Sequence, residues 1–393
     1  MKRTEENHGR SLNIAIIGCG RIGEREASAV VSIPDLRLVA VSDVGPAFRE
    51  KALRMGEKYE CDAVHEWRHL VTRDDVNIVI VSTPTTFHKD MSIEAMKHGK
   101  HVICEKPLAG TPEDAEEMLS VARAQGVKLM TNFNHRRHDH IQRAKEIVDR
   151  GLIGCPVFIR GRIGHGRFIV GPSPSNPERF QCQNTWYTDI TYAGGGALID
   201  NGVHLLDLAR WFMDDEFVEA QGYVTYNLDL YERQGDGNWA FSRQSECEDN
   251  AFGLFKTKGG RVASIHSSWV QWQGYLYLEI FGTNGSVVIN SDQIQGHVSY
   301  SVFNGCNRHG DPIANIIEVP ALLRPDPSWK RQLQEFVAAI REDREPSQSG
   351  YDGLQAMRMV QAVYDSAGSG KTVPIEAVSP SLDIELSGIP ALR

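Results

Sequence analysis

The stretch Asn13–Gly23 reads NIAIIGCGRIG, an apolar run that leads directly into a glycine-rich turn. Gly18 permits the tight turn out of the strand, and Gly20, which has no Cβ, lets the backbone approach a pyrophosphate. Gly23 allows the following helix to pack closely on the strand. The helix that begins near Arg21 directs its N–H groups and the positive end of its dipole at the phosphates. The stretch therefore predicts a Rossmann turn that binds a dinucleotide.

An acidic residue stands where this fingerprint needs one. Asp43 follows the second predicted strand, Leu36–Ser42, and lies twenty residues beyond Gly23. There its carboxylate can accept hydrogen bonds from both hydroxyls of the adenosine ribose, and it would repel a 2′-phosphate. The pattern thus favours NAD over NADP as the cofactor. The candidate cofactor residues of this region are Gly18, Gly20, Arg21, Ile22, Gly23 and Asp43.

The hydrophobic pattern changes character near residue 132. Over residues 12–132, short runs that are apolar on both faces alternate with amphipathic stretches, which predicts a doubly wound parallel α/β sheet, the NAD(P)-binding Rossmann domain. Over residues 133–370, longer runs alternate apolar and polar residues between turn signals, which predicts a mostly antiparallel open sheet in an α+β domain for substrate binding and oligomerisation. Residues 371–393 are expected to form a C-terminal tail.

The predicted strands follow from these two patterns. In the first part they are Asn13–Ile17, Leu36–Ser42, Asn77–Ser82, His101–Cys104 and Lys128–Thr131. In the second part they are Val157–Gly166, Val218–Asn227, Asn250–Thr257, Arg261–Val270, Tyr275–Gly282, Ser286–Asn290 and His297–Phe303. A helix from Ala197 to about Met213 interrupts the second series.

Composition narrows the classes of partner and compartment. With 393 residues the chain exceeds what one core usually holds, so two domains are expected. A net charge of −9 argues against nucleic acid as a partner, because phosphates would be repelled. No run approaches the roughly 18 apolar residues of a membrane span, and the polar N-terminus lacks the apolar core of a signal peptide, so a cytoplasmic location is expected. The seven cysteines form no CxxC pair, which argues against a zinc knuckle or a disulfide framework.

Two further motifs extend the fingerprint to a family. The first is Ser82–His88, which reads STPTTFH, followed by a strand that ends in Glu105-Lys106-Pro107. The second is Gly194–Asp207, which reads GGGALIDNGVHLLD. Together with the glycine turn and the strand turn Ile280–Gly285, they resemble the glucose–fructose oxidoreductase / inositol dehydrogenase family (Gfo/Idh/MocA). The resemblance covers nearly the whole chain.

The resemblance implies an NAD(P)-dependent oxidoreductase that acts on CH–OH groups through Lys106, Asp200 and His204. Lys106 matches the lysine beside the nicotinamide and the substrate hydroxyl, and the other two match the acidic and imidazole members of the catalytic group. The stretch Ser82–His88 is similar to the loop that lines the riboses, and Glu105 matches a residue near the nicotinamide ribose. The further cofactor candidates are therefore Ser82, Thr83, Pro84, His88, Glu105 and Lys106.

Elementary chemistry is consistent with these roles. Lys106 follows a buried strand at the carboxyl edge, where doubly wound sheets bind ligands. A partly desolvated lysine has a lowered pKa, and one that stays charged stabilises a developing alkoxide. Asp200 and His204 are four residues apart on the predicted helix, so the carboxylate can orient the imidazole that takes the proton. Either Lys106 or His204 can be the proton acceptor, and the competing interpretation is a solvated lysine with an aspartate and a histidine of purely structural role.

Candidates for substrate contact lie in four places, one of which is Asn201 within the Gly194–Asp207 motif. Asn134 and Arg136 belong to a stretch that resembles the family's Asn-Arg segment, here interrupted by His135. Trp186-Tyr187 can form an aromatic wall for a sugar ring or belong to the core. The segment Gly164–Asn184, which contains His165 and Arg167, is either a functional loop or a surface excursion. The substrate candidates are Asn134, Arg136, Trp186, Tyr187 and Asn201.

Three activities stay open at this point. The first is an oxidoreductase acting on a secondary hydroxyl of a sugar, cyclic polyol or derivative; the second is an NAD-dependent glycoside hydrolase without net redox change; the third is a non-catalytic NAD-binding protein. No metal is expected, because Asp200, His204 and Asp207 lack further ligands at metal-binding spacing. A homodimer or homotetramer is expected, because an open sheet has a face and edges to cover and relatives of this architecture are oligomers.

Overall fold

The computed structural model describes residues 11–45, 49–166, 186–233, 239–271, 274–292, 296–306, 308–319 and 327–375. Most of the segment Gly164–Asn184, including Arg167, lies outside the described residues, as does most of the predicted C-terminal tail.

The first sheet has six parallel strands in the order β3-β2-β1-β4-β5-β6. The strands are β1 (Leu12–Ile17), β2 (Leu36–Ser42), β3 (Asp62–Ala63), β4 (Ile78–Val81), β5 (His101–Glu105) and β6 (Leu129–Asn132). The helices are α1 (Arg21–Val31), α2 (Arg49–Tyr59), α3 (Trp67–Val71), α4 (His88–Lys97) and α5 (Pro112–Gln125). Every residue of β4 and β6 is buried, as expected for central parallel strands. The predicted doubly wound sheet is confirmed.

Local sequence signals set the bounds of α5. The Thr111 side chain accepts a hydrogen bond from the Asp114 N–H group, and Pro112 occupies the first turn, where its missing N–H costs nothing. Gly126 ends the helix in the left-handed region with φ of 63°. The chain then enters β6 at the amino edge of the sheet, and the candidate site lies at the opposite edge, where β5 and β6 end in Glu105 and Asn132.

The second sheet has nine strands in the order β16-β15-β14-β13-β7-β12-β11-β8-β17, and only the β7–β12 pair is parallel. The strands of this part of the chain are β7 (Pro156–Gly164), β8 (Phe217–Thr225), β9 (Asp229–Arg233), β10 (Trp239–Gln244), β11 (Asn250–Thr257), β12 (Val262–Ser268), β13 (Tyr275–Gly282), β14 (Gly285–Asp292), β15 (Gly296–Cys306), β16 (Pro312–Val319) and β17 (Val373–Pro374). Strands β9 and β10 form a separate hairpin. The helices are α6 (Asp139–Asp149), α7 (Ile190–Ala193), α8 (Val203–Met213), α9 (Ser328–Arg341) and α10 (Gly350–Ser369).

One face of the second sheet is packed. Strand β11 alternates buried and exposed residues, so Ala251 and Phe255 join the core while Phe252 and Leu254 point away from it. Helices α8 and α10 cover the buried face. The predicted mostly antiparallel sheet with one packed face is confirmed.

Helix α9 packs against the first sheet although it follows the second in sequence. Its Leu333 and Phe336 side chains share a core cluster with Ile14 and Ile16 of β1. The division at residues 132 and 370 stays a prediction, and α9 is the element that packs across it.

Two features are absent from the part of the chain that the structure describes. Those residues contain no helix with the length and hydropathy that a membrane crossing requires. They also contain no cluster of three or more histidine, cysteine, aspartate or glutamate side chains placed to hold a metal ion.

Candidate active site

The glycine turn has two crowded positions and one open one. A Cβ at Gly18 would lie 2.5 Å from the Ser82 carbonyl, and the residue has a φ of +108°. A Cβ at Gly23 would lie 1.9 Å from the Gly18 carbonyl oxygen. A Cβ at Gly20, directly before α1, would have no neighbour within 4 Å. The turn therefore needs glycine at its outer positions for its own packing and is open at Gly20, which fits a pyrophosphate at the start of α1.

Asp43 is tied to the same turn. Its Oδ2 atom accepts a hydrogen bond from the Cys19 N–H group at 2.9 Å, and Oδ1 accepts one from Val44 at 2.7 Å. Burial raises the pKa of Asp43, and the two N–H groups act against that rise. Among the described residues each oxygen accepts one hydrogen bond, so a carboxylate fixed at the end of β2 can also accept hydrogen bonds from a ribose.

His88 links two loops of the predicted cofactor site. Its Nδ1 atom lies 2.8 Å from the Pro107 carbonyl oxygen and its Nε2 atom 2.9 Å from that of Thr83. The side chain is 1% exposed, and burial lowers the pKa of His88. We assign His88 the role of joining the loop after β4, which contains Pro84, to the loop after β5.

Lys106 and Asp200 form an ion pair at the carboxyl end of β5. The Lys106 Nζ atom lies 2.9 Å from Asp200 Oδ1 and also donates to the Asp200 carbonyl. The side chains are 17% and 11% exposed. Burial acts to lower the pKa of Lys106, but the Asp200 carboxylate and the Tyr187 hydroxyl raise it above its ordinary value. The structure thus contradicts the expected lowered pKa and supports a lysine that stays charged.

Three more side chains hold the Asp200 carboxylate. Its Oδ2 atom accepts hydrogen bonds from Trp269 Nε1 and Asn201 Nδ2, each at 3.0 Å. The His165 Nε2 atom lies 3.7 Å from the same oxygen and 3.0 Å from Asn201 Nδ2. Burial alone would raise the pKa of Asp200, but Lys106 and His165 hold it well below its ordinary value. Trp269 was not predicted, since nothing in its local sequence marks it.

The predicted continuous helix Ala197–Met213 is wrong at its first turn. Residues Leu198–Gly202 form a π-helix that leads into α8. A π-turn contains an extra residue, so Asp200 and His204 do not align as in an α-helix. Among the described residues, the hydrogen bonds of the Asp200 carboxylate go to other partners, and the expected orienting bond to His204 is not formed.

A buried carboxylate fixes the start of this π-helix. Glu248 accepts hydrogen bonds from the N–H groups of Gly196 at 2.6 Å and Leu198 at 2.9 Å, and from the Tyr364 hydroxyl at 2.9 Å. A Cβ at Gly196 would lie 1.9 Å from the Glu248 carbonyl oxygen, which explains the last glycine of the motif. Burial raises the pKa of Glu248 to about 7. Glu248 was not predicted from the sequence, and it positions the segment that contains Asp200.

His204 lies in an aromatic environment. Its ring stacks on His135 with centroids 3.9 Å apart and an angle of 6° between the planes, and the Phe133 ring meets it edge-on at 6.1 Å. Burial lowers the pKa of His204 well below its ordinary value, and His135 and Lys106 lower it further. The His204 Nδ1 atom is buried and has no hydrogen-bond partner among the described residues. His204 is therefore a neutral imidazole close to Lys106.

The substrate candidates separate in the structure. Tyr187 stacks on Trp186 with ring centroids 3.7 Å apart, and burial and the charge of Asp200 raise the pKa of Tyr187. Asn134 is half-buried at the start of a short helical turn.

Arg136 is 4% exposed. Its Nε atom donates to Asp207 at 2.8 Å, and its other nitrogens donate to the Asp352 carboxylate and to a backbone carbonyl. Its donors are engaged, so we replace the expected substrate contact by a structural role.

A second buried group lies beside Lys106. The Asn132 Nδ2 atom donates to Glu26 Oε1 at 2.5 Å and also to Glu105 Oε1, and Gln332 of α9 donates to Asn132 Oδ1. Burial and the neighbouring Glu105 carboxylate raise the pKa of Glu26 to about 8, and burial raises the pKa of Glu105 to about 7. The pair therefore retains a proton at neutral pH. Glu26 was not predicted, because a charged residue in an amphipathic helix normally faces water.

This pair makes stability depend on pH. The pKa of Glu26 is raised from 4.5 in the unfolded chain to about 8 in the folded protein. The contribution of Glu26 to the free energy of unfolding is therefore fully present below pH 4.5 and is lost as the pH rises towards 8. Glu26→Gln should therefore stabilise the protein at pH 8 by about 1–3 kcal/mol and change little at pH 4.5. Thermal unfolding across this range measures the difference. Glu57→Gln, at an exposed position of α2, is the control, and a Glu26→Gln variant less stable than wild type at pH 8 contradicts the assignment.

Comparisons with known proteins match both parts of the chain. The model of the oxidoreductase family with an NAD-binding Rossmann fold matches residues 12–133, and the model of the GFO/IDH/MocA C-terminal domain matches residues 141–288. The uncharacterized oxidoreductase YrbE of Bacillus subtilis is 30% identical over 371 residues, which cover 93% of this chain and 97% of that protein.

Two further relatives span nearly the same length. Myo-inositol 2-dehydrogenase of Thermotoga maritima is 28% identical over 93% of this chain and 99% of its own. The structure of a levoglucosan dehydrogenase in complex with NADH and L-sorbose superposes with a TM-score of 0.80 at 23% identity, covering 94% of this chain and 100% of that one, which shows the shared fold. The predicted family, enzyme class and NAD cofactor are confirmed by these matches: the chain belongs to the Gfo/Idh/MocA family of NAD-binding oxidoreductases.

Proposed function

We propose that the protein is an NAD-dependent dehydrogenase that oxidises or forms a secondary hydroxyl of a sugar, a cyclic polyol or a derivative of one. The observation that carries the proposal is the charged Lys106, fixed by Asp200 beside the neutral imidazole of His204. A cation next to a neutral base is what the removal of a hydroxyl proton requires. NAD, when bound, accepts the hydride from the carbinol carbon.

The two catalytic side chains divide the work. Lys106 stays protonated because Asp200 raises its pKa, so it binds the substrate oxygen and stabilises negative charge on it. His204 is neutral because burial lowers its pKa, and its ring accepts the hydroxyl proton. Asp200 holds the Lys106 ammonium group, and Trp269 and Asn201 hold the carboxylate. We thus assign the proton acceptor to His204.

The cofactor residues favour NAD over NADP. The open position at Gly20 admits the pyrophosphate, and Asp43 accepts hydrogen bonds from the adenosine ribose and repels a 2′-phosphate. Glu105 lies at the nicotinamide end of the same sheet edge. The solved relative with bound NADH is consistent with this choice.

The substrate class rests on the site and on the relatives. Trp186 and Tyr187 stack on each other, and the charges of Asp200 and Lys106 act on Tyr187, so we assign the stacked rings to the apolar face of a sugar or polyol ring. Arg136, the buried arginine of the junction, is engaged with Asp207, which favours an uncharged substrate. The named relatives include an inositol dehydrogenase and a levoglucosan dehydrogenase, whose substrates are such rings.

A substrate screen tests this function. Purified protein is incubated with NAD⁺ or NADP⁺ and a panel of inositols, anhydrosugars and aldoses, and absorbance at about 340 nm reports reduction of the cofactor. We expect NADH to accumulate with at least one polyol and faster than NADPH does. Glycoside cleavage without net NADH would support the hydrolase instead, and NAD binding without any turnover would support the non-catalytic protein.

We further propose that the chain forms a homodimer or homotetramer through the face of the second sheet that α8 and α10 do not cover and that is exposed in the described part of the chain. On neighbouring strands this face presents Tyr223, Phe252 and Leu254, which are 65%, 45% and 51% exposed. Exposed apolar side chains in one patch favour association. Light scattering at micromolar concentration should show an oligomer for the wild type and a smaller species for Phe252→Glu/Leu254→Glu. Leu53→Glu, at a 53% exposed leucine of α2, is the control, and a monomeric wild type contradicts the proposal.

A further inference from the structure

The ring of His135 lies flat against the ring of His204, and nothing in the roles assigned above uses it. The centroids are 3.9 Å apart and the planes differ by 6°. His135 belongs to the short helical turn Asn134–Arg137 after β6, whereas His204 lies in the first turn of α8. The contact therefore joins the turn that follows the first sheet to the helix that covers the second sheet, at the residue that accepts the proton.

The stack fixes His204 through its face, because two parallel rings in contact cannot hydrogen-bond to each other. The Nδ1 atoms of His135 and His204 are both buried without a hydrogen-bond partner among the described residues. A histidine that lacks a hydrogen bond at Nδ1 can rotate unless its neighbours hold it. Here Phe133 meets the ring edge-on and His135 covers one face, so packing supplies the orientation that a carboxylate commonly supplies.

The stack also limits how many of the two histidine rings can be protonated. Lys106, His135 and His138 are the groups that act on the charge of His204, and Lys106, His138 and His140 act on that of His135. Two imidazolium rings at 3.9 Å would repel each other strongly, so only one of the pair can be charged. Burial lowers the pKa of both rings well below the ordinary value, so both are neutral in the resting protein, and a proton on one ring excludes a proton on the other.

We propose that His135 is a positioning residue that holds the His204 ring in its acceptor orientation. This inference rests on the proposed function, in which His204 accepts the hydroxyl proton. The substrate and NAD do not contact His135 in this account, so it acts on turnover and not on binding.

Two substitutions of His135 distinguish the effect of a flat ring from the effect of the imidazole nitrogens. His135→Phe keeps a flat face and should retain kcat within about 3-fold, whereas His135→Ala should lower kcat by about 10–100-fold. The KM for the substrate and the Kd for NADH should change by less than about 3-fold in both variants. In NMR titrations of the ligand-free protein, the pKa of His204 should rise towards its ordinary value in His135→Ala, because water enters the space, and less in His135→Phe.

Each outcome decides between the alternatives. An alanine variant with wild-type kcat and an unchanged His204 titration overturns the inference, as does an equal loss of kcat in both variants. Should the alanine variant not fold, His135→Leu replaces it, because it fills the volume without a flat ring; wild-type kcat in that variant also overturns the inference. His204→Asn tests the proposed function separately: if it keeps full activity, the assignment of the base fails whatever His135 does.

Discussion

Replacement of Lys106 by methionine should lower kcat by about 10³-fold or more while NAD still binds. Methionine is similar in length but cannot donate a hydrogen bond to the substrate oxygen or stabilise negative charge on it. The ammonium group lies 2.9 Å from Asp200 and is 17% exposed, so its charge acts in a site with little water, where electrostatic stabilisation is strong. Steady-state kinetics and a fluorescence titration with NADH measure the two quantities.

The same substitution has a structural consequence that the experiment must control. Asp200 loses its cation, yet its carboxylate keeps the hydrogen bonds from Trp269 and Asn201. A loss of stability is expected from the unpaired charge, so the kinetics are measured well below the unfolding temperature. Lys89→Met, which removes a surface lysine paired with Asp114, is the matched control and should leave kcat unchanged. A Lys106→Met enzyme with more than about one tenth of wild-type kcat contradicts the assigned role.

Replacement of Asp43 by alanine should weaken NADH binding by about 10–100-fold and shift the preference towards NADPH. The carboxylate that would accept two ribose hydrogen bonds is lost, and the repulsion of a 2′-phosphate disappears with it. Asp43 also accepts the N–H groups of Cys19 and Val44, so the turn loosens as well. Fluorescence titrations with NADH and NADPH give the ratio of the two affinities.

The ratio distinguishes recognition of the ribose from simple loosening of the turn. Loosening weakens both cofactors alike, whereas loss of the carboxylate weakens NADH more than NADPH. Asp35→Ala, which alters an exposed aspartate at the opposite end of the same strand, is the control and should change neither affinity. An unchanged ratio in Asp43→Ala would show that Asp43 does not select the cofactor.

The fold was predictable where the signals were local. The run Asn13–Gly23 contains a buried strand, a positive-φ turn and a helix start, and each needs specific residue types at fixed spacing. The alternation in Asn250–Thr257 likewise gave both bounds of β11. Strand β3 was not predicted because Asp62–Ala63 has only two residues, too few to show a pattern. Strand β16 was not predicted either. The packing of α9 on the first sheet has no local signal.

The candidate site was predictable only as a set of residues. The family resemblance predicted that Lys106 and Asp200, which are 94 residues apart in sequence, belong to one catalytic group, and the structure places them in contact. It did not indicate the π-helix Leu198–Gly202, which depends on the distant Glu248 carboxylate at its start. Trp269 and Glu248 contribute through contacts over long sequence separations, which no pattern within one segment records.

The central claim is that this chain moves a hydride between a carbinol carbon and NAD. The most direct measurement uses a polyol substrate found in the screen, deuterated at the carbon that is oxidised, and determines by mass spectrometry where the label goes. We expect one deuterium in each NADH molecule formed, an equal amount of ketone product, and a slower reaction than with the unlabelled substrate. Recovery of the label in a cleaved sugar without net NADH, or no transfer of label to the cofactor at all, would contradict it.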